Sequence, residues 1–301
     1  MKFLLSSDLH IRLDRPIHRV DDFVEIQGKT LEKIRNVALK HRAILLISGD
    51  LLDKARPVKP QQTEIIAYNY FSEIKTFLTP GNHDLIDHNT GNIDSGSIGV
   101  ITRFNNINMI NNQTLEFDEY TITGVPYDVS IEPIKNKRLN KGKTNILMLH
   151  DYCDVKRLPE FIESGFTAEE ILNETEYDLI VVGHHHKSFV YERNGRFVVN
   201  PGCITRQSIS EADYEPKVYL YDSDKKTVVK AISLPDIEGD VFDLSAIQEK
   251  KRIDEIKNSF VDKLSSGINI ELSLSENIEE YVKKNKVNKR IGEILNTWTK
   301  T

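Results

Sequence analysis

The chain has 301 residues, 39% hydrophobic and 29% charged, which excludes a disordered, collagen-like or disulfide-stapled polypeptide and leaves room for about two domains. Its 40 Lys and Arg face 46 Asp and Glu, a net charge of −6, so nothing global advertises a polyanionic partner, although a local field can oppose the total. Cys153 and Cys203 are too few for a disulfide framework and read as free thiols of a reducing compartment. The apolar start Met1–Leu5 stops at Ser6, short of a signal-peptide core, and no apolar run approaches the roughly 18 residues of a membrane span. A cytoplasmic location is therefore expected.

The first predicted element is a buried strand, Phe3–Leu5, cut off by Ser6-Ser7-Asp8. Phe23, Ile26, Leu31, Ile34, Val37 and Ala38 recur at three- and four-residue spacing, which predicts an amphipathic helix and, with the apolar run Ile44–Ile47, a βαβ unit. A second helix is expected over Gln61–Ser72, ahead of a strand at Ile74–Leu78. Alternation marks Thr114–Phe117 and Tyr120–Thr123, whereas Ile146–Leu149 and Leu179–Val182 are uninterrupted runs of buried strands. Phe189–Glu192 and Phe197–Val199 flank Asn194-Gly195, a type I′ hairpin signal whose central residues need φ > 0. Val218–Tyr221 and Val228–Ile232 complete the pattern of an α/β fold, a layered sandwich with two mixed sheets inside and helices outside. After about Leu234 the composition shifts, and Pro235–Asp240 reads as a linker to a Lys-rich helical tail.

The residues that end these runs carry the chemistry. Leu5 leads to Asp8-Leu9-His10, Ser48 to Gly49-Asp50, Pro80 to Gly81-Asn82-His83-Asp84, Leu149 to His150, and Val182 to Gly183-His184-His185-His186. Asp, Asn and His thus crowd the carboxyl ends of strands, where α/β folds bind ligands. Asp8 and His10, two apart, would share one face of a strand and grip a cation together, and His184 with His186 repeats that spacing. Asn82 offers a neutral oxygen. The mixed oxygen and imidazole set suits Mn²⁺, Fe or Zn²⁺, and two ions fit it better than one. With Asp8 and Asp50 as the only carboxylate ligands, two divalent ions keep a charge of about +2, matched to a phosphodiester and a hydroxide and hence to in-line displacement at phosphorus.

Taken in order, these blocks resemble the signature of the calcineurin-like metallophosphoesterase superfamily, and within it that of the SbcD-type DNA-repair exonucleases. Gly49-Asp50-Leu51-Leu52-Asp53 with Arg56-Pro57, the run Ile146–His150, and Asn200–Arg206 carry the closer likeness, with Cys203 where relatives have Ser. The resemblance covers about residues 1–235. It implies a four-layer α-β-β-α sandwich with a dinuclear centre, a short cap and a C-terminal helical appendage. Carried over residue by residue, it assigns Asp8, His10 and His186 to a first metal, Asn82, His150 and His184 to a second, and Asp50 to both. His83 is then the acid facing the leaving oxygen, with Asp84 orienting it. It further implies Mn²⁺-dependent cleavage of DNA, 3′→5′ on duplexes and endonucleolytic on single strands or hairpins. A homodimer through the catalytic domain and a coiled-coil ATPase partner of the SbcC type belong to the same picture. The expected division is a catalytic domain at 1–205, closing strands and linker at 206–240, and a partner-docking segment at 241–301.

Other residues have competing readings. Asp53 orients a ligand or the substrate strand, or else caps a turn before Pro57; Arg56 is an intermediate case of the same kind. Arg206 contacts phosphate or is an exposed structural arginine. His185, in the middle of its run, points away from its neighbours, and His18, His41 and His88 are expected at the surface; both cysteines are expected to be packing residues rather than ligands. In the tail, Asn277 and Glu280 resemble a capping box. Ile278, Tyr281 and Val282 then form one apolar face, and Val287, Ile291, Ile294, Leu295 and Trp298 a second. This helix pair either folds back on the core or docks on the ATPase. The rivals to a DNA nuclease are a phosphoprotein phosphatase, a small-molecule phosphodiesterase and a metal-free scaffold.

Overall fold

The computed structural model describes residues 1–104, 106–135, 137–159, 162, 165–236, 241–243, 245, 255, 276, 279 and 282–284. In chain order the elements begin β1 (Lys2–Ser6), α1 (Phe23–His41), β2 (Ile44–Ser48), α2 (Pro60–Phe71), β3 (Thr76–Thr79), α3 (Ser97–Ile101), β4 (Ile107–Met109), β5 (Gln113–Glu116) and β6 (Tyr120–Val125). They continue with β7 (Thr144–His150), β8 (Cys153–Asp154), β9 (Phe166–Thr167), α4 (Ala168–Glu174), β10 (Leu179–Gly183), β11 (Phe189–Arg193), β12 (Arg196–Asn200), β13 (Lys217–Asp222) and β14 (Thr227–Ser233).

Two six-stranded mixed sheets result, ordered β14-β13-β1-β2-β3-β4 and β11-β12-β10-β7-β6-β5. β1 to β4 run parallel, as do β12, β10, β7 and β6, and antiparallel strands edge both sheets. The two-residue period of a strand divides the core into layers. Phe3, Leu5, Leu46 and Phe77 meet Ile122, Met148 and Val181 between the sheets. Their neighbours Leu4, Leu45 and Ile47 face the other way, onto Leu31 and Ile34 of α1 and Phe71 of α2. Leu147, Leu149, Ile180 and Val182 likewise pack on Ile171 and Leu172 of α4. Because both faces of these strands are buried, they read in the sequence as continuous apolar runs. The architecture is the expected four-layer sandwich, and β13 and β14 complete the first sheet.

Local signals act where the sequence placed them. The Asp22 side chain accepts from the Glu25 backbone N–H to cap α1, and Asn194 and Gly195 both take positive φ in the β11–β12 hairpin. The strand expected from Ile74 begins at Thr76, with Ile74 in the preceding turn. Met1–Phe242 form one compact unit and Asp243–Thr301 a second. In the second, Val282 is helical and half-buried, while Ile278, Tyr281, Ile291, Ile294, Leu295 and Trp298 lie outside the described residues.

The expected linker starts as an anchor instead. Asp236 is buried and bonds both terminal nitrogens of fully buried Arg19 at 2.8 and 2.9 Å, and it also accepts from the Arg206 backbone N–H. Arg19 is further held by Asp21 and by rings of Phe23 and Phe242. A buried guanidinium without its carboxylate is costly. Asp236→Ala should therefore lower unfolding free energy by about 3–5 kcal/mol in chemical denaturation, whereas Asp224→Ala, at an exposed N-terminal ion pair, should change it by less than about 1 kcal/mol.

Candidate metal centre

Parallel strands deliver the polar residues to one edge, but the last turn of chain does the aiming. β1 ends at Ser6 and β10 at Gly183, so Asp8 and His10, like His184 and His186, do not share a strand face as the two-residue spacing suggested. Asp8, His10, Asp50 and His184 all have φ between 45° and 76°, in the left-handed region that non-glycine residues enter only when their surroundings enforce it. Hydrogen bonds supply the enforcement: Asp8 N–H donates to the Gly49 carbonyl, His10 N–H to Asp50 and Ile11 N–H to Leu51. Gly49 itself has φ +84°, and a Cβ there would lie 1.9 Å from His150 Nδ1. Only glycine lets the imidazole approach.

The side chains then converge. His150 donates from Nδ1 to the Ser48 carbonyl at 2.8 Å, which leaves its Nε2 facing Asp50 Oδ2 at 3.2 Å and Asn82 Oδ1 at 3.1 Å. His184 Nδ1 reaches the same Asn82 oxygen at 3.1 Å. On the other side, His186 Nε2 meets His10 Nε2 at 3.2 Å, and Asp50 Oδ2 lies 3.8 Å from His10. Asp8, His10 and His186 form one group whose ligand atoms lie within 4.8 Å of one another; Asp50, His150 and His184 form another, and the exposed His83 comes equally close to His10 and Asp50. The buried Asp8 Oδ2 has no hydrogen-bond partner among the described residues.

This is a meeting of lone pairs, stable only around positive charge. Burial opposes charging His150, but Asp50 outweighs it and lifts the imidazole to about 10. His186, equally opposed by burial, is lifted to about 9 by Glu211 and Asp8. Burial raises Asp8, whereas Asp50, despite its burial, is held far below the ordinary carboxylate range by His150. His10 and His184 stay neutral: burial and neighbouring imidazoles push His184 down to about 4 and His10 down strongly. Carboxylate, amide oxygen and neutral imidazole in one buried cluster are the donor set of a divalent cation, and the unpartnered Asp8 oxygen fits such an ion.

A family profile for calcineurin-like phosphoesterases matches residues 1–188. The chain belongs to that family. The family uses divalent metals, in keeping with the donor set above. Among curated proteins, the chain is 24% identical over 306 residues to double-strand break repair protein MRE11 of Encephalitozoon cuniculi, covering 85% of this chain and 51% of that protein. It is 23% identical over 295 residues to DNA double-strand break repair protein Mre11 of Archaeoglobus fulgidus, covering 88% and 65%. The chain thus spans between half and two thirds of the length of these relatives. Solved structures similar to it include TT1561 of Thermus thermophilus, at 14% identity and TM-score 0.48 over 77% of this chain and 98% of that one. An archaeal phosphodiesterase matches at 15% identity and TM-score 0.42, over 78% of this chain and all of that one.

Within this phosphoesterase the remaining expected residues part company. His83 sits at the rim of the cluster, its ring edge-on to His10 at 4.8 Å, but its Nδ1 bonds the Asp53 carbonyl at 2.7 Å. Asp84 does not orient it: the buried Asp84 carboxylate accepts backbone N–H bonds from Gly81, Leu51 and Leu52, stapling two loops together. Asp53 pairs with Arg12 at 2.8 Å, and Arg56 stays exposed nearby. Arg206 is buried, bonded to the Ala212 carbonyl and 3.5 Å from Asp236, so a phosphate cannot reach it. His185 points away as expected, stacked on Tyr152 and bonded to the Cys153 carbonyl. His88 is exposed, as expected, and its Nδ1 bonds the Asn82 carbonyl. Cys203 lies close to His186 and Glu211, but burial drives its thiol well up, against metal-binding thiolate character.

Two features escaped the sequence. The rings of Tyr127 and Tyr152 stand 5.5 and 6.5 Å from that of His184. More telling, Glu211 accepts from His186 Nδ1 at 2.6 Å while its other oxygen takes the Gln207 and Ser208 backbone N–H groups. The only trace in the sequence is Ser208-x-x-Glu211, a capping box that the structure forms. A carboxylate on the outer nitrogen fixes the tautomer of a metal-binding histidine.

Glu211→Gln should weaken Mn²⁺ binding roughly 10–100-fold by titration calorimetry with the fold retained by circular dichroism. Since an incoming cation must displace protons that His150 and His186 hold to about pH 10 and 9, Mn²⁺ affinity should also rise between about pH 6 and pH 8.5, with proton release. Affinity that is flat across this range would contradict the assignment of these two imidazoles.

Proposed function

We propose that this chain is a DNA phosphodiesterase, the nuclease subunit of an SbcCD-like repair complex that works with an SbcC-like coiled-coil ATPase. The observation that carries the chemistry is the convergence of buried Asp8, His10, Asp50 and His150 with half-buried Asn82, His184 and His186. The substrate class is supported by the two double-strand break repair relatives.

In this reading Asp8, His10 and His186 hold one divalent ion, Asn82, His150 and His184 a second, and Asp50 both, with Mn²⁺ suited to the oxygen and imidazole donors. When bound, two such ions supply charge neutralisation for the phosphodiester and activation of water for in-line attack. The chain's own residues do the rest. His83, exposed and given no metal in this reading, gives a proton from Nε2 to the departing oxygen, while the Asp53 carbonyl holds its Nδ1–H. Arg12 keeps Asp53 in place through their 2.8 Å pair. Glu211 and the Ser48 carbonyl fix the tautomers of His186 and His150.

The proposal extends to the domain plan of a catalytic domain at 1–205, closing strands at 206–240 and a docking segment at 241–301, to a homodimer through the catalytic domain, and to a cytoplasmic location. No helix among the described residues is long and apolar enough to cross a membrane. Exonucleolytic 3′→5′ degradation of duplexes and cleavage of single strands or hairpins follow from the same reading.

End-labelled linear DNA incubated with purified protein should be shortened with Mn²⁺ and left intact with chelator. Hydrolysis of bis(p-nitrophenyl) phosphate without DNA cleavage would instead favour a small-molecule phosphodiesterase. His83→Ala should reduce kcat by roughly 10²–10⁴ with bound Mn²⁺ unchanged; loss of the metal would make His83 a ligand and remove it from the acid role.

A further inference from the structure

The surroundings of the metal centre are electrically lopsided. Beside Tyr127 opens a cavity of about 580 Å³ lined by Asp128, Asp151, Glu170 and Glu174, with Lys135 as the one cation among the described residues that line it. Lys135 is already paired with Glu174 and Glu132. A phosphate backbone is repelled there.

The opposite side, next to His83, differs in every respect. Two loops, 12–15 and 53–59, are tied together by the Ile11–Leu52 bridge, the Asp53 N–H to Ile11 carbonyl bond and the Arg12–Asp53 pair. They carry five cationic side chains against two carboxylates, a net charge of +3 in a chain of net −6. Arg12 pairs with both Asp14 and Asp53, a trio that keeps one negative charge against the four remaining cations. Arg15, Lys54, Arg56 and Lys59 are exposed and have no ion-pair partner among the described residues. Between the loops lies a cavity of about 90 Å³ whose walls include Leu13, Pro57 and Val58 together with Lys54, Lys59 and Asp53. It is smaller than the roughly 150 Å³ that accommodates benzene, so neither a base nor a whole sugar enters it and its apolar rim can meet only one face of a sugar. Val58 is 79% exposed and Ile17, on the adjoining stretch, 90%.

We infer that these two loops form a subsite for the DNA strand on the leaving-oxygen side of the centre. Leu13, Pro57 and Val58 receive a sugar face, and Arg15, Lys54, Arg56 and Lys59 the phosphates on either side of it. The inference deepens the DNA reading above and rests on it. Asp53 joins the two functions: its carbonyl holds His83 and its side chain lines the subsite, so the strand leaves past the group that protonates it.

The test is fluorescence anisotropy of the full chain with a labelled single-stranded DNA 20-mer in chelator, as a function of salt. Each phosphate contact on a single strand contributes about 0.7 to the salt slope. Lys54→Ala/Arg56→Ala/Lys59→Ala should therefore lower the slope by about 2 and raise Kd at least tenfold. Val58→Asp, at an exposed position where folding is not at stake, should raise Kd severalfold by placing a carboxylate against the backbone. The comparison variant is Lys141→Ala/Lys226→Ala, at a cavity beside the starts of β7 and β10, where the slope should hold. An unchanged slope in the triple variant, or an equal fall in the comparison variant, overturns the subsite while leaving the nuclease reading intact. A wild-type chain that hydrolyses the small diester but does not bind DNA overturns both.

Discussion

Seven lone-pair donors crowded into a buried space cannot persist without positive charge, and much of the molecule is arranged to hold them there against their mutual repulsion. Parallel strands of two different sheets bring Asp8, Asp50, Asn82, His150 and His184 to one line. Left-handed backbone at four of the residues turns their side chains inward. The cost of that backbone, of order 1–3 kcal/mol for each residue, is offset by the interlocked loop hydrogen bonds and by the burial of Leu9, Ile11, Leu51 and Leu52 immediately beside them. Polar residues that aim at the centre thus alternate along the chain with apolar residues that fasten the same loops to the core.

The division between what the sequence announces and what it conceals follows from how local each interaction is. The five polar strand ends are legible because an apolar run stopped by Asp, Asn or His is a pattern of neighbours. Asp8 and His10 do come together, though not as that pattern suggests, since their common direction comes from two turns and from β2 rather than from a strand face. Asp84 illustrates the opposite error. Adjacency to His83 suggests a partner, but the turn at 81–84 sends the two side chains apart, and the carboxylate is taken up by backbone N–H groups 32 and 33 residues upstream.

Glu211 and Arg206 show the limit of pattern reading from both sides. Glu211 lies 25 residues beyond His186 and looks, in one dimension, like an ordinary helix cap. Its second oxygen does serve that purpose, and nothing in the chain's local chemistry reveals the first. Arg206 has the composition of a phosphate contact, but the return of the chain at Asp236 covers it. Long-range closure decides both residues. The tail, expected to be helical, meets the same limit, because an amphipathic pattern specifies a face to be covered and not the surface that covers it.

The contact between β2 and its neighbours across the sandwich has one more consequence. Ser48 belongs to the first sheet, yet its hydroxyl donates to the Val181 carbonyl at 2.9 Å and its carbonyl receives His150 Nδ1 at 2.8 Å, both in the second. A Cβ on Gly183 would come within 2.0 Å of that carbonyl. Across the apolar layer the sheets are separated by side chains that can repack, whereas at Ser48 and Gly183 backbone meets backbone. The centre therefore works as a vernier between the two halves of the sandwich: a slip of an ångström that the apolar layer would absorb separates Asp50 from His150, so the alignment of the sheets is registered in the chemistry before it is felt in the stability of the fold.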